Sequence, residues 1–150
     1  MKALCAGSFD PITVGHYDYI IRTAELYGSV VVAVTDNSEK KYMFTLEERL
    51  RFVKEAFKGK DNISVVSLSG WCADLVKEHG ADLIVKGIRN SEDFDYEKLI
   101  ATVNREISGV ETVFIPCRSE YSDVSSTAVR EMIKYGKDYS AFVPLGVKIK

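Results

Sequence analysis

The chain is short of the devices that small proteins use in place of a core. Its three cysteines, Cys5, Cys72 and Cys117, are odd in number and widely spaced, without a CxxC pair, and its two histidines, His16 and His79, lie far apart. This excludes a disulfide scaffold and a structural zinc site, and it points to a reducing compartment. No stretch approaches the ~20 apolar residues of a membrane span. The apolar run at Met1–Ala6 is too short for a signal peptide. The expected location is therefore cytoplasmic, with no membrane partner. Nor is there an excess of one charge: 20 basic and 22 acidic residues leave a net charge of -2. A nucleic-acid partner, which needs a basic face, is not expected; a small anion held in a local positive cleft remains open. Repeats, linkers and low-complexity tracts are absent, so residues 1–150 read as a single domain. GxxxxGK[ST] and GxGxxG are missing too, which excludes a Walker-type NTPase and the usual dinucleotide-binding pattern.

What is present is a well-stocked core and a regular alternation. A chain of 150 residues with 46% hydrophobic content buries about 70% of its unfolded surface without staples. Short apolar, mostly β-branched runs lie at Ala3–Ala6, Val30–Thr35, Ile63–Leu68, Leu83–Lys86 and Thr112–Ile115. They lack in/out alternation, as strands covered on both faces do. Helical patterns fall at Tyr17–Tyr27, at Thr45 to about Phe57, and at Trp71–His79, Glu92–Ser108 and Ser126–Tyr135, most of them stopped by a glycine. Thr45 with Glu48 forms a capping box. Five βα units with short connections predict an α/β fold with a doubly wound, parallel five-stranded sheet.

The strand-to-helix connections hold the unusual residues. They read Gly7-Ser8-Phe9-Asp10-Pro11, Asp36 to Lys41, Ser69-Gly70-Trp71, Lys86 to Asn90, and Cys117 to Ser125. All project from the carboxyl edge of the sheet, where open α/β sheets bind ligands. There they gather Lys40, Lys41, Lys86, Arg89, Arg118 and His16 with the hydroxyls of Ser8, Ser125, Ser126 and Thr127. Cations, hydroxyls and helix N-termini together suit a polyphosphate. Plainer roles compete. His16 could merely cap a helix, Lys40 and Lys41 could be solvated, and Ser125 could act only as an N-cap. Trp71 and Cys72 could be core or pocket wall, and His79 is most simply a partner for a helix dipole. Lys86, charged at the end of an apolar run, should turn its ammonium into the cleft.

Two motifs carry a resemblance. Gly7 to His16, GSFDPITVGH, resembles the first motif of nucleotidyltransferases with an (H/T)xGH element, and Ser125 to Arg130, SSTAVR, resembles their ISSTxxR-like second motif. With Lys40 to Arg49 (KKYMFTLEER), Lys86 to Asn90 (KGIRN) and Asp93 to Glu97 (DFDYE), the chain resembles the phosphopantetheine adenylyltransferase family almost from end to end. The resemblance implies a Rossmann-like nucleotidyltransferase fold and adenylyl transfer from ATP to 4′-phosphopantetheine. The products would be dephospho-coenzyme A and pyrophosphate, within coenzyme A biosynthesis. It further implies magnesium with the ATP, coenzyme A as a product-side ligand, and a homohexamer. By the same resemblance, Ser8, Phe9 and His16 meet phosphates, and Ser8, Lys40, Cys72 and Lys86 hold phosphopantetheine. Gly87, Ile88, Arg89 and Glu97 meet ATP, as do Tyr121, Ser122, Asp123, Val124, Ser125, Ser126 and Thr127, while Asp10 lies near the reacting phosphates. His16, Lys40, Arg89 and Ser8 are the expected catalytic set. Lys86 stands where many relatives carry arginine, Ser8 where threonine is common, and Tyr121 where some carry tryptophan. The alternatives are a CTP-using or mononucleotide-adenylylating enzyme of the same superfamily, or a non-catalytic flavodoxin-like nucleotide-binding module.

Overall fold

The computed structural model describes residues 1–149. The chain alternates β1 (Lys2–Gly7), α1 (Val14–Tyr27), β2 (Ser29–Thr35), α2 (Leu46–Ala56), β3 (Ile63–Leu68), α3 (Cys72–His79), β4 (Leu83–Ile88), α4 (Ser91–Ser108), β5 (Thr112–Pro116) and α5 (Ser126–Lys134). The strands form one sheet in the order β3-β2-β1-β4-β5. Every pairing is parallel, with Ala3 opposite both Val30 and Leu83. This is the expected α/β sheet of five parallel strands. The winding reverses at β1: β2 and β3 extend to one side, β4 and β5 to the other.

Successive side chains of a strand face opposite sides, and the core divides accordingly. Ala3, Cys5, Val30, Val32, Val34 and Val85 pack with Ile20 of α1, Phe52 and Val53 of α2 and Val129 of α5. Leu4, Ala6, Val31, Ala33 and Ile84 pack with Leu75 and Val76 of α3. Burying such side chains contributes roughly 1.5–3 kcal/mol each. Strand β3 departs from the expectation of two covered faces. It lies at the sheet edge, where Ser64 and Ser67 are exposed.

Helix α1 begins at Val14, three residues before the expected start. Thr13 is its N-cap: the Thr13 hydroxyl accepts the His16 N–H at 3.3 Å, and His16 Nδ1 accepts the Thr13 N–H at 3.0 Å. An imidazole thus takes the place usually held by Glu or Gln in a capping box. The Thr45–Glu48 box forms as expected. Asn90 caps α4 through the Asp93 N–H, so that helix begins at Ser91 rather than Glu92.

Gly87 lets β4 approach α1 closely. A Cβ there would lie 2.7 Å from Cδ1 and 2.9 Å from Cγ of Tyr19, a buried ring with little room to move. Gly87→Ala should therefore destabilise the fold by about 1–3 kcal/mol, the usual cost of overpacking. A urea-unfolding midpoint equal to that of the unaltered protein would contradict this.

Candidate active site

A cleft of about 1040 Å³ opens over the carboxyl ends of the strands, where the winding reverses. Its walls are the loop after β1, the loop after β2, the starts of α3 and α5, the end of β4 and one side of α4. Ser8, Phe9, Asp10, His16, Lys40, Cys72, Lys86, Gly87, Arg89, Glu97, Tyr121, Val124, Ser125, Ser126 and Thr127 all line it. Ser8 and Thr127, 119 positions apart, therefore meet in one place.

Four residues expected at the site lie outside that wall. Ile88 is one: its carbonyl accepts the Cys117 N–H at 2.8 Å, tying β4 to the chain after β5. Ser122 and Asp123 belong to an exposed turn, in which the Ser122 hydroxyl donates to the Ser119 carbonyl. Arg118 turns to Asp18, 2.9 Å away, an anion already shared with Arg22.

His16 is oriented by its own helix. Because Nδ1 accepts the Thr13 N–H, the proton of a neutral ring resides on Nε2. Phe9, buried and at φ 48, sets its ring edge-on to the imidazole at 5.1 Å between centroids. Its side chain thus shapes the site from within the core. Burial, followed by the charges of Arg89 and Lys86, lowers the His16 pKa to about 4. His16 consequently enters the site as a neutral hydrogen-bond donor and not as one of its cations.

The cations themselves are largely partnered. Lys86 Nζ donates to the Ala6 carbonyl at 3.1 Å and pairs with Glu97 at 3.4 Å, so its ammonium is anchored in the cleft wall instead of projecting freely. Arg89 is held by Asp93 through its main-chain N–H and its side-chain Nε. Lys40 Nζ donates to Ser8 Oγ at 3.1 Å. Five cations (Lys40, Lys41, Lys86, Arg89, Arg130) and four carboxylates (Asp10, Asp36, Asp93, Glu97) line the cleft. The three hydroxyls at the start of α5 divide their work. Ser125 caps the helix through Ala128, Ser126 donates to the Pro11 carbonyl, and Thr127 accepts from Arg130.

Asp10 does not face the cleft as a free acid. Its two carboxylate oxygens accept the main-chain N–H groups of Met43 and Phe44, at 2.9 Å each. Cys72 carries a thiol pushed up to about 11, chiefly by burial, which keeps it protonated. Trp71 is 47% exposed and lines the cleft, so it is wall rather than core. Sequence reasoning missed Asn104 of α4. It lines the cleft and is 3% exposed, and its Oδ1 has no hydrogen-bond partner in the structure. An unpaired buried acceptor is costly.

A parallel sheet with a cleft at its winding reversal is the ligand-binding layout of the Rossmann-like kind. The model of the cytidylyltransferase-like family matches residues 4–132, and the chain belongs to that family. A phosphopantetheine adenylyltransferase of Flavobacterium psychrophilum is 48% identical over 99% of both chains. That of Flavobacterium johnsoniae is 46% identical over 99% of this chain and 98% of its own. That of Renibacterium salmoninarum is 46% identical over 97% and 92%. Within the wider family the chain is a member of the phosphopantetheine adenylyltransferases.

The His16 geometry has a direct readout. Ring nitrogen shifts should show Nε2 protonated and Nδ1 bare, with a titration midpoint about 4. Since an unfolded chain takes up this proton near 6.5, the unfolded state binds more protons between those values. Stability from the neutral ring is therefore whole above about 6.5, falls as pH drops through the window, and levels off below about 4. A midpoint near 6.5 in the folded, ligand-free protein would refute the assignment.

Proposed function

We propose that the chain catalyses adenylyl transfer from ATP to 4′-phosphopantetheine, forming dephospho-coenzyme A and pyrophosphate in coenzyme A biosynthesis. The observation that carries this reading is a neutral Nε2–H donor, oriented by Thr13, lining one cleft with the cations Lys40, Lys86 and Arg89 and with the Ser8 hydroxyl that Lys40 holds. The full-length identity to enzymes of that name supports it. CTP-using relatives and a non-catalytic binding module are not favoured.

The nucleophile is the phosphate of phosphopantetheine. Its second pKa of about 6 leaves it largely ionised at neutral pH, so no protein base is needed. The protein must hold one anion in line with the α-phosphate of another. Ser8 and Lys40 orient the attacking phosphate, and Lys86 binds it beside Glu97. His16 donates from Nε2 to an α-phosphate oxygen as charge builds there. Arg89 and the free N–H groups at the start of α5 take the β- and γ-phosphates, helped by the helix dipole. Gly87, Tyr121 and Val124 border the nucleoside.

Magnesium fits this site as a passenger of the nucleotide. Among the described residues no cluster of three or more His, Cys, Asp or Glu could hold a metal ion, and Asp10 is already committed to Met43 and Phe44. Magnesium commonly binds through substrate phosphates and waters, and it supplies charge screening there. The proposal includes a cytoplasmic homo-oligomer, a hexamer by family resemblance. In support of the oligomer, Leu99 and Ile107 of α4 are exposed apolar side chains. Dephospho-coenzyme A and coenzyme A would be product-side ligands.

Incubation with magnesium-ATP and 4′-phosphopantetheine should release pyrophosphate and dephospho-coenzyme A; turnover of CTP instead would overturn the reading. His16→Ala should lower kcat by roughly 10²–10³-fold, the usual loss for one electrostatic donor. Lys86→Ala should raise KM for phosphopantetheine more than KM for ATP, because it also leaves Glu97 unpaired against the incoming anion. The reverse ranking would place Lys86 on the nucleotide side.

A further inference from the structure

Arg49 is the largest of the fully buried side chains, and it does not line the cleft. A buried guanidinium is costly unless its donors are met. They are met mainly by main-chain carbonyls. Nη1 donates to Ser8 O at 2.9 Å and Thr35 O at 2.7 Å, and Nε donates to Phe44 O at 3.2 Å. Among the described residues the one carboxylate within reach is Asp36, at 3.4 Å and 46% exposed. The Tyr42 ring lies 3.8 Å over the guanidinium. These acceptors are unusual in where they lie. One is in the loop after β1, one ends β2, and one precedes the cap of α2. Arg49 thus grips the Ser8 backbone and both ends of the exposed loop that carries Lys40.

We propose that Arg49 is a positioning residue for the acceptor side of the reaction: its planar fork holds Ser8 and the Lys40 loop in register so that the Ser8–Lys40 pair meets the attacking phosphate. The inference rests on the assignment of Ser8 and Lys40 made above. Asp10 grips the same loop from the other side, through Met43 and Phe44. Between these anchors the residues from Asn37 to Lys41 are exposed, and the bonds of their main chain stay within the loop and its Tyr42 flank: Lys40 N–H to Asn37 O, Glu39 N–H to Asn37 Oδ1, and Asn37 N–H to the Tyr42 hydroxyl. The position of Lys40 is therefore set by its anchors. A lysine at position 49 would keep the charge but not the fork, since its donors radiate from one point. The nucleotide side, at Arg89 and the start of α5, receives no bond from Arg49 and should not feel its loss.

The test compares Arg49→Lys and Arg49→Met with the unaltered protein, after the folded fraction of each has been measured by circular dichroism. In Arg49→Lys, KM for phosphopantetheine should rise about tenfold and kcat should fall about tenfold, as expected of a small misplacement. The calorimetric Kd for ATP should stay within about threefold. Hydrogen exchange should quicken at residues 36–44 and remain unchanged at the start of α5. A purely structural Arg49 would lower the folded fraction but leave the constants per folded molecule unaltered, and that result overturns the proposal. So does an equal loss of ATP and acceptor affinity. Should both variants fail to fold, the decision falls to Tyr42→Leu, which removes the ring from the guanidinium, compared with Tyr42→Phe, which loses only the hydroxyl that accepts the Asn37 N–H. Relative to Tyr42→Phe, Tyr42→Leu should reproduce the acceptor-biased KM rise at about threefold, and an equal KM rejects the proposal. Absence of adenylyl transfer by the unaltered protein would instead sink the proposed function, and the exchange comparison would still decide whether Arg49 anchors the loop.

Discussion

The reversal of winding at β1 is the constraint from which the rest of the site follows. Because β2 and β4 flank β1 and their connections leave in opposite directions, the loops after β1 and β4 cannot cover one another. A gap remains above the carboxyl ends of the strands. The loop after β1 forms one lip, with Ser8 and, at the first turn of α1, His16. The end of β4 forms the other, with Lys86 and Arg89. Gly87 allows these lips to stand close, by letting β4 press against Tyr19. The layout sets groups of one strand end opposite groups of its neighbour.

The electrostatics of the empty cleft are close to balanced, and this changes how it should receive anions. Lys86 rests on Glu97 and Arg89 on Asp93. Carboxylate partners of this kind hold long side chains in one rotamer before any ligand arrives, so less freedom is lost on binding. Under the proposed function, phosphate oxygens would share or displace those carboxylates instead of capturing mobile cations. The neutral imidazole suits the same arrangement. Protonating it beside two cations would cost energy, and Nε2–H already offers what a phosphoryl oxygen needs.

The legible parts of this molecule were local. The strands showed as β-branched runs, and the Thr45–Glu48 box announced α2 with residues three apart. The glycines closing α3 and α4, at φ 62 and 74, marked their ends. The site was legible as far as motifs reached, because they fall on loops that the fold sends to one edge. What stayed hidden was long-range or chemically atypical. The start of α1 was misread because histidine is not a customary capping-box partner. Asp10 and Arg49 reach main-chain atoms up to 41 residues away (Arg49 to Ser8), and no local pattern encodes that. Ile88, Ser122 and Asp123 sit within motif segments, yet strand-end bonding and a turn hydroxyl keep them out of the cleft wall. Asn104 lay in a helix whose many exposed apolar residues gave no hint of one buried polar group.

The capping role of His16 has an evolutionary side. Groups that serve chemistry are commonly a burden on the fold, and stabilising replacements then erode activity. Here the same ring nitrogen that closes the first turn of α1 also fixes which nitrogen bears the proton. Under the proposed function, selection for a sturdy helix and selection for a fast enzyme would favour the same side chain, and drift at this position would meet two penalties at once.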